Sequence, residues 1–181
     1  MYRFHKLSLV LLVFLFSACA PEREKSLDRN KENSLQVFLV RHAEKVDQSR
    51  DPELSPAGYV RAATLAQTLH SAEIAYVHST DFIRTRKTAE PLASINGIEV
   101  DLYDPSDLKG LVEEMLRVGG RHLVVGHSNT TPRMVDLLGG ESGADIDETD
   151  EYDRLYLVTI NGFGEVSTIL LRYGAAYIPP Y

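Results

Sequence analysis

Cysteine is almost missing from this sequence. Of 181 residues only Cys19 carries a thiol, so neither an internal disulfide nor a Cys-rich zinc site can form. An excess of positive charge is missing too. Lys and Arg number 19 against 26 Asp and Glu, a formal charge of −7, and so acidic a chain lacks the electrostatic footprint of a general nucleic-acid binder. No internal repeat is present. The apolar run Leu7–Phe16, broken only by Ser8, falls well short of the ~20 residues that a bilayer-spanning helix needs. What remains is ordinary for a globular chain: 44% hydrophobic and 25% charged residues, enough length for one domain with a core and an appendage.

The apolar run follows Arg3 and Lys6 and precedes the small residues Ser17 and Ala18, which is the layout of a secretory signal. Phe16-Ser17-Ala18-Cys19 resembles the bacterial lipobox, with Phe16 where leucine is usual. That resemblance implies a signal peptide over residues 1–18, cleavage before Cys19 and a lipid on its thiol. Ala20 stands where an aspartate would imply retention in the inner membrane. The expected location is therefore the bacterial cell envelope, lipid-anchored at the outer membrane. Cleavage removes Arg3 and Lys6 and no acidic residue, taking the formal charge to −9. Residues 19–34 read as a lipidated tether, because a polar segment of mixed charge cannot bury enough surface to offset ordering. Its flexible residues 20–34 would reach roughly 20 Å.

From Leu35 strand and helix alternate. Leu35–Val40 is a short apolar run that suits a buried strand. Ser55-Pro56 opens a helix as N-cap and first helical residue, and apolar positions 59, 62, 63, 66 and 69 mark its inner face. The same reading predicts strands at Ile74–Val77, Ile98–Leu102 and His122–Gly126, and helices over Phe82–Ser94 and Ser106–Val118. A last long helix runs from Thr131-Pro132 to Gly139-Gly140. Residues 141–151 read as an acidic loop. Arg154–Ile160 and Glu165–Leu171, joined around Asn161-Gly162, form an antiparallel hairpin. The fold class is α/β: a three-layer α/β/α sandwich with a mostly parallel sheet and a C-terminal antiparallel hairpin. The domain spans residues 35–174, and 175–181 is an irregular tail.

In such a sheet ligands bind beyond the carboxyl ends of the strands. The residues there are Arg41-His42 after the first strand, His78 and then Arg84 after the second, Tyr103-Asp104 after the third and His127-Ser128-Asn129 after the fourth. Two arginines and two histidines converging in an acidic chain suggest a phosphate, whose oxygens match the guanidinium fork. The start of the helix after His127 adds backbone N–H groups.

Arg41-His42-Ala43-Glu44 resembles the Arg-His-Gly/Ala-Glu signature of the histidine phosphatase superfamily, the phosphoglycerate-mutase-like fold. Ser79–Glu90 is similar to its second block, Ser-Ser-Pro-Leu-x-Arg-Ala-x-Gln-Thr-Ala-Glu, which places the shared arginine on Arg84. Asp81, Thr85 and Lys87 replace that block's proline, alanine and glutamine. Val124–Asn129 resembles the third block, with the second histidine on His127. The resemblance covers residues 35 to about 172.

It implies a metal-independent phosphomonoester hydrolase without cofactors, whose substrate is a phosphorylated small molecule or a phosphoprotein. His42 is the expected nucleophile, since imidazole is unprotonated near neutrality where lysine is not. Arg41, Arg84 and His127 would hold the phosphoryl oxygens, while Ser128 and Asn129 would add donors or cap the next helix. The resemblance places a general acid after the third strand, so Asp104 is the first candidate, with Asp107, Glu44 and Glu53 as alternatives. Arg86 reads as a solvated charge and His78 as a neighbour without a role. His5, His70 and His122 show no metal-ligand spacing with any carboxylate. The alternatives of this fold are a mutase and a phosphohistidine phosphatase, and outside catalysis an anion-binding module at the cell envelope.

Overall fold

The computed structural model describes residues 34–179. The expected signal peptide, Cys19 and all of the tether but Ser34 lie outside the described residues, as do residues 180–181.

Eleven segments follow in order: β1 (Leu35–Arg41), α1 (Pro56–Leu69), a 3-10 turn (His70–Ala72), β2 (Tyr76–Thr80), α2 (Ile83–Asn96), β3 (Val100–Tyr103), α3 (Leu108–Val118), β4 (Gly120–Gly126), α4 (Thr130–Leu137), β5 (Arg154–Ile160) and β6 (Val166–Arg172). The strands form one sheet in the order β3-β2-β4-β1-β5-β6. Its first four members are mutually parallel; β5 is antiparallel to β1, and β6 is antiparallel to β5.

The centre of β1, Val37–Val40, is apolar because both its faces are covered. Val37 and Leu39 point to α3 and α4, packing with Leu111, Met115, Met134 and Val135. Phe38 and Val40 point to α1 and α2, packing with Leu65, Leu69, Ala89 and Leu92. These two cores give the expected three-layer α/β/α sandwich.

Several boundaries differ from the sequence reading, for local reasons. β2 begins at Tyr76, because Glu73 takes a left-handed turn (φ 51°) just before it. β3 covers Val100–Tyr103. α3 starts at Leu108 with Asp107 as its cap, accepting Gly110 N at 3.0 Å. The last helix is short: eight residues end where Gly139 N and Gly140 N turn back to the carbonyls of Asp136 and Val135. The inner face of α1 also differs. Tyr59 and Ala63 are exposed, whereas Arg61 and Leu65 are buried. Arg61 is accommodated because its guanidinium meets Glu44 at 2.8 Å and the carbonyls of Tyr173 and Ala175. Ser55 caps α1 as expected, accepting Gly58 N at 3.1 Å. Gly58 is glycine because a Cβ there would collide with the Glu44 carbonyl, against which the helix start is pressed.

Candidate active site

Strand register places the functional groups at one level. Arg41 pairs with Gly126 across β1 and β4, and Ser79 pairs with Val125 across β2 and β4. His42, Thr80 and His127 therefore emerge together at the carboxyl edge of the sheet. His42 and His127 border a cavity of about 540 Å³ lined by Arg41, His42, Lys45, Phe82, Arg84, Pro105, Ser106, His127, Ser128, Asn129, Thr130 and Glu148, and Thr80 is buried behind it.

His42 is 4% exposed. Its Nδ1 lies 2.8 Å from the Ala43 carbonyl. A carbonyl only accepts, so Nδ1 carries the proton and Nε2 keeps its lone pair. Burial first, then the charges of Arg41, His127 and Arg84, push the imidazole pKa down to about 2. The ring is thus a neutral base at any physiological pH. His127 stands edge-on to it, ring centroids 5.5 Å apart. Burial, with Arg84, Arg41 and Lys45, lowers His127 to about 4. Phe82 packs perpendicular to His127 at 5.2 Å and lies under the Arg84 guanidinium at 4.4 Å.

The two arginines divide their donors differently. Arg41 gives Nη1 to the carbonyls of Asp147 and Glu151, each at 3.0 Å, and Nη2 to that of Glu148 at 2.6 Å. Its Nε is buried without a partner. Its plane lies over the Tyr152 ring at 4.1 Å. The bidentate fork expected of Arg41 is thus largely occupied by backbone, and Nε is its one nitrogen without a partner among the described residues. Arg84 has both Nε and Nη1 buried without a hydrogen-bond partner. Asp51 lies 3.6 Å from Nη1, too far for a hydrogen bond. Among the described residues these three guanidinium nitrogens have no hydrogen-bond partner, and both arginines line the cavity, an arrangement that suits an anion.

Ser128 and Asn129 line the cavity where α4 begins, and Asn129 makes no side-chain capping bond. The carboxylates fall elsewhere. Asp104 is not among the lining residues. Its Oδ1 accepts from Ser106 N at 2.8 Å and Ser106 Oγ at 2.7 Å, and those bonds hold its pKa below the ordinary aspartate value. Asp107 caps α3, Glu44 pairs with Arg61, and Glu53 accepts from Tyr59 Oη at 2.8 Å. The carboxylate that does line the cavity is Glu148. The sequence reading missed Glu148, Lys45, Phe82 and Ser106 as lining residues, and Tyr152 beneath Arg41. Arg86 pairs with Asp81 at the surface. His78 leaves the site and bonds His122, Nε2 to Nδ1 at 2.9 Å, in a separate cavity under α3. Among the described residues no cluster of three potential metal ligands occurs.

Comparison with known proteins bears on the fold and on part of the sequence. The family model of the histidine phosphatase superfamily (branch 1) matches residues 37–106. The chain is 36% identical over 75 residues to a protein of Photorhabdus laumondii named Probable phosphoglycerate mutase GpmB. That stretch is 38% of this chain and 35% of the other, so the chain spans about a third of the length of the curated relative it matches. Among solved structures it is similar to the protein histidine phosphatase SixA complexed with tungstate (TM-score 0.59, 19% identity, 77% of this chain and 96% of that one). It is also similar to the mycobacterial glucosyl-3-phosphoglycerate phosphatase with inorganic phosphate (TM-score 0.61, 15% identity, 78% and 98%). At these identities the two structures share the fold.

Proposed function

We propose that the chain is a phosphomonoester hydrolase of the histidine phosphatase superfamily working through a phosphohistidine on His42, a reading supported by the family match over residues 37–106, the partial relative and the shared fold. The observation that carries this is the buried, neutral His42 whose Nε2 is free, beside the three unpaired N–H groups of Arg41 and Arg84. The phosphoryl oxygens occupy those donors, which stabilise the charge of a loose transition state. His42 Nε2 attacks phosphorus, the P–O bond to the leaving group breaks, and water then resolves the phosphohistidine. The expected result with p-nitrophenyl phosphate is turnover that His42→Ala abolishes. Unchanged activity in that variant removes His42 from the mechanism, and no turnover by the parent leaves an anion-binding module.

The position of Asp104 favours a narrower reading, in which the preferred substrates are phosphohistidine or aryl phosphates. Their leaving groups depart without a strong acid, and Asp104 spends its carboxylate on Ser106 rather than on the cavity. The positive field comes from arginine, so hydrolysis proceeds without a metal. EDTA should leave the rate intact, and strong inhibition contradicts this. The lipobox resemblance supports anchoring through Cys19 at the cell envelope. Cys19→Ser should release the protein from membranes, and retention would show another mode of attachment.

A further inference from the structure

We propose that Thr80 and Thr85 are positioning residues: their buried hydroxyls form a one-way hydrogen-bond chain that holds His127 as the Nε2–H tautomer and keeps its Nδ1 lone pair turned towards Arg84 and the cavity. The inference deepens the phosphohistidine reading of the site and rests on it.

The direction of the chain follows from its closed end. Thr85 Oγ1 lies 2.9 Å from the carbonyls of both Thr80 and Phe82. Carbonyls only accept, so the single proton of Thr85 is committed to one of them. Its oxygen is left to accept from Thr80 Oγ1, 3.0 Å away. The one hydroxyl proton of Thr80 is thereby used. His127 Nε2, 3.0 Å from Thr80 Oγ1, can then only donate.

The other side of the ring agrees. Arg84 Nη2 lies 3.5 Å from His127 Nδ1, a long contact but one in which the guanidinium has no lone pair to offer. A proton on Nδ1 would face another N–H of like charge, whereas a lone pair there is attracted. Thr80 and Thr85 have no exposed surface, so water cannot substitute for either hydroxyl. Thr85 also stands where the pattern this segment resembles carries alanine. The completed chain is therefore a feature of this sequence rather than of the shared motif.

The consequence is that His127 acts as a base aimed at the reacting phosphoryl group, not as the donor to phosphoryl oxygens that the sequence pattern implied. When water attacks phospho-His42, an O–P bond forms. The P–Nε2 bond breaks, and its electron pair returns to His42. The proton lost by the water passes to His127 Nδ1, which releases it to solvent. Without the Thr85 hydroxyl, the Thr80 proton is free to turn to Nε2. The histidine proton then moves to Nδ1, where no second one can be received.

The test reads the tautomer directly. In the full chain labelled with nitrogen-15 histidine, two-bond proton–nitrogen correlations at neutral pH should show His127 as Nε2–H. Thr85→Ser should keep that pattern, and Thr85→Val should shift population to Nδ1–H. In steady-state assays with p-nitrophenyl phosphate, Thr85→Val should lower kcat by ~10-fold, a modest share of what positioned proton transfer supplies, with KM unchanged. Thr85→Ser should restore it. Nδ1–H in the parent, or pure Nε2–H in Thr85→Val, overturns the inference. Should Thr85→Val fail to fold, the parent spectrum and the Thr85→Ser rate decide. The spectrum needs no turnover. Nε2–H in a protein that hydrolyses nothing contradicts the phosphatase reading instead, and leaves the hydroxyl chain standing.

Discussion

Arg154 grips Glu151 with two nitrogens, Nε on Oε1 at 2.7 Å and Nη2 on Oε2 at 2.9 Å, and both residues are buried. The pair fixes more than itself. Arg172 joins Glu151 Oε1 at 2.8 Å, and Asp147 N donates to Oε2 at 3.0 Å. The acidic stretch is thus folded around one carboxylate, and its carbonyls at Asp147, Glu148 and Glu151 all face Arg41. Those bonds in turn set the plane of the Arg41 guanidinium, a residue that lines the candidate site.

Breaking that pair should therefore damage both stability and catalysis. Glu151→Ala leaves the buried Arg154 uncompensated, a change that costs about 3 kcal/mol or more. Urea unfolding should show that loss. Turnover of p-nitrophenyl phosphate, measured where the variant is still folded, should fall as Arg41 is released. Full turnover would mean that Arg41 holds its orientation without the loop.

Arg84 should matter most for phosphate itself. It carries two of the three unpaired donors, so Arg84→Ala should cost ~10²- to 10³-fold in kcat/KM, the scale of losing oriented charge stabilisation. Arg84→Lys should not restore the rate, because an ammonium lacks the planar fork. A variant within a few fold of the parent would remove Arg84 from the site.

Acid should destabilise the fold before any ordinary carboxylate titrates. Unfolded histidines take up protons below about 6.5. In the folded chain burial holds His42 at about 2, and His78 and His127 at about 4. Between pH 6.5 and about 4.5 the unfolded state thus binds more protons, and unfolding free energy falls as pH falls. Each such histidine contributes up to ~1.4 kcal/mol per pH unit. Above pH 7 this contribution is fully present and constant. Urea midpoints at pH 7, 6 and 5 test this, and a flat profile across that interval would contradict the burial of neutral imidazoles.

Much of this was readable in the chain because the signals were local. The apolar run of β1, the Ser55-Pro56 helix start and the Asn161-Gly162 turn each act over a few residues. Asn161 Oδ1 does accept from Phe163 N and Glu165 N, as such a turn requires. The site was readable because each of its main residues directly follows a strand or opens the next helix. What escaped was non-local. Arg41 is held by backbone carbonyls more than a hundred residues away, and a carbonyl leaves no mark in a sequence. Arg61 lies outside the apolar positions that marked the inner face of α1, and it is buried because Glu44 and two distant carbonyls surround it. Asp104 looked poised for catalysis, but its own short-range bonds to Ser106 took the carboxylate first. Thr85 had one visible cue, its departure from the alanine of the resembled pattern, and only the contact with Thr80 gave that cue a meaning.

The phosphoryl-transfer account is tested most directly by trapping the intermediate. The protein is mixed with p-nitrophenyl phosphate, quenched during turnover in base, where phosphohistidine survives, and its peptides are weighed. The account predicts one added phosphoryl group on the peptide carrying His42, absent from His42→Ala. Turnover that leaves His42 unmodified, or that phosphorylates a different residue, would contradict it.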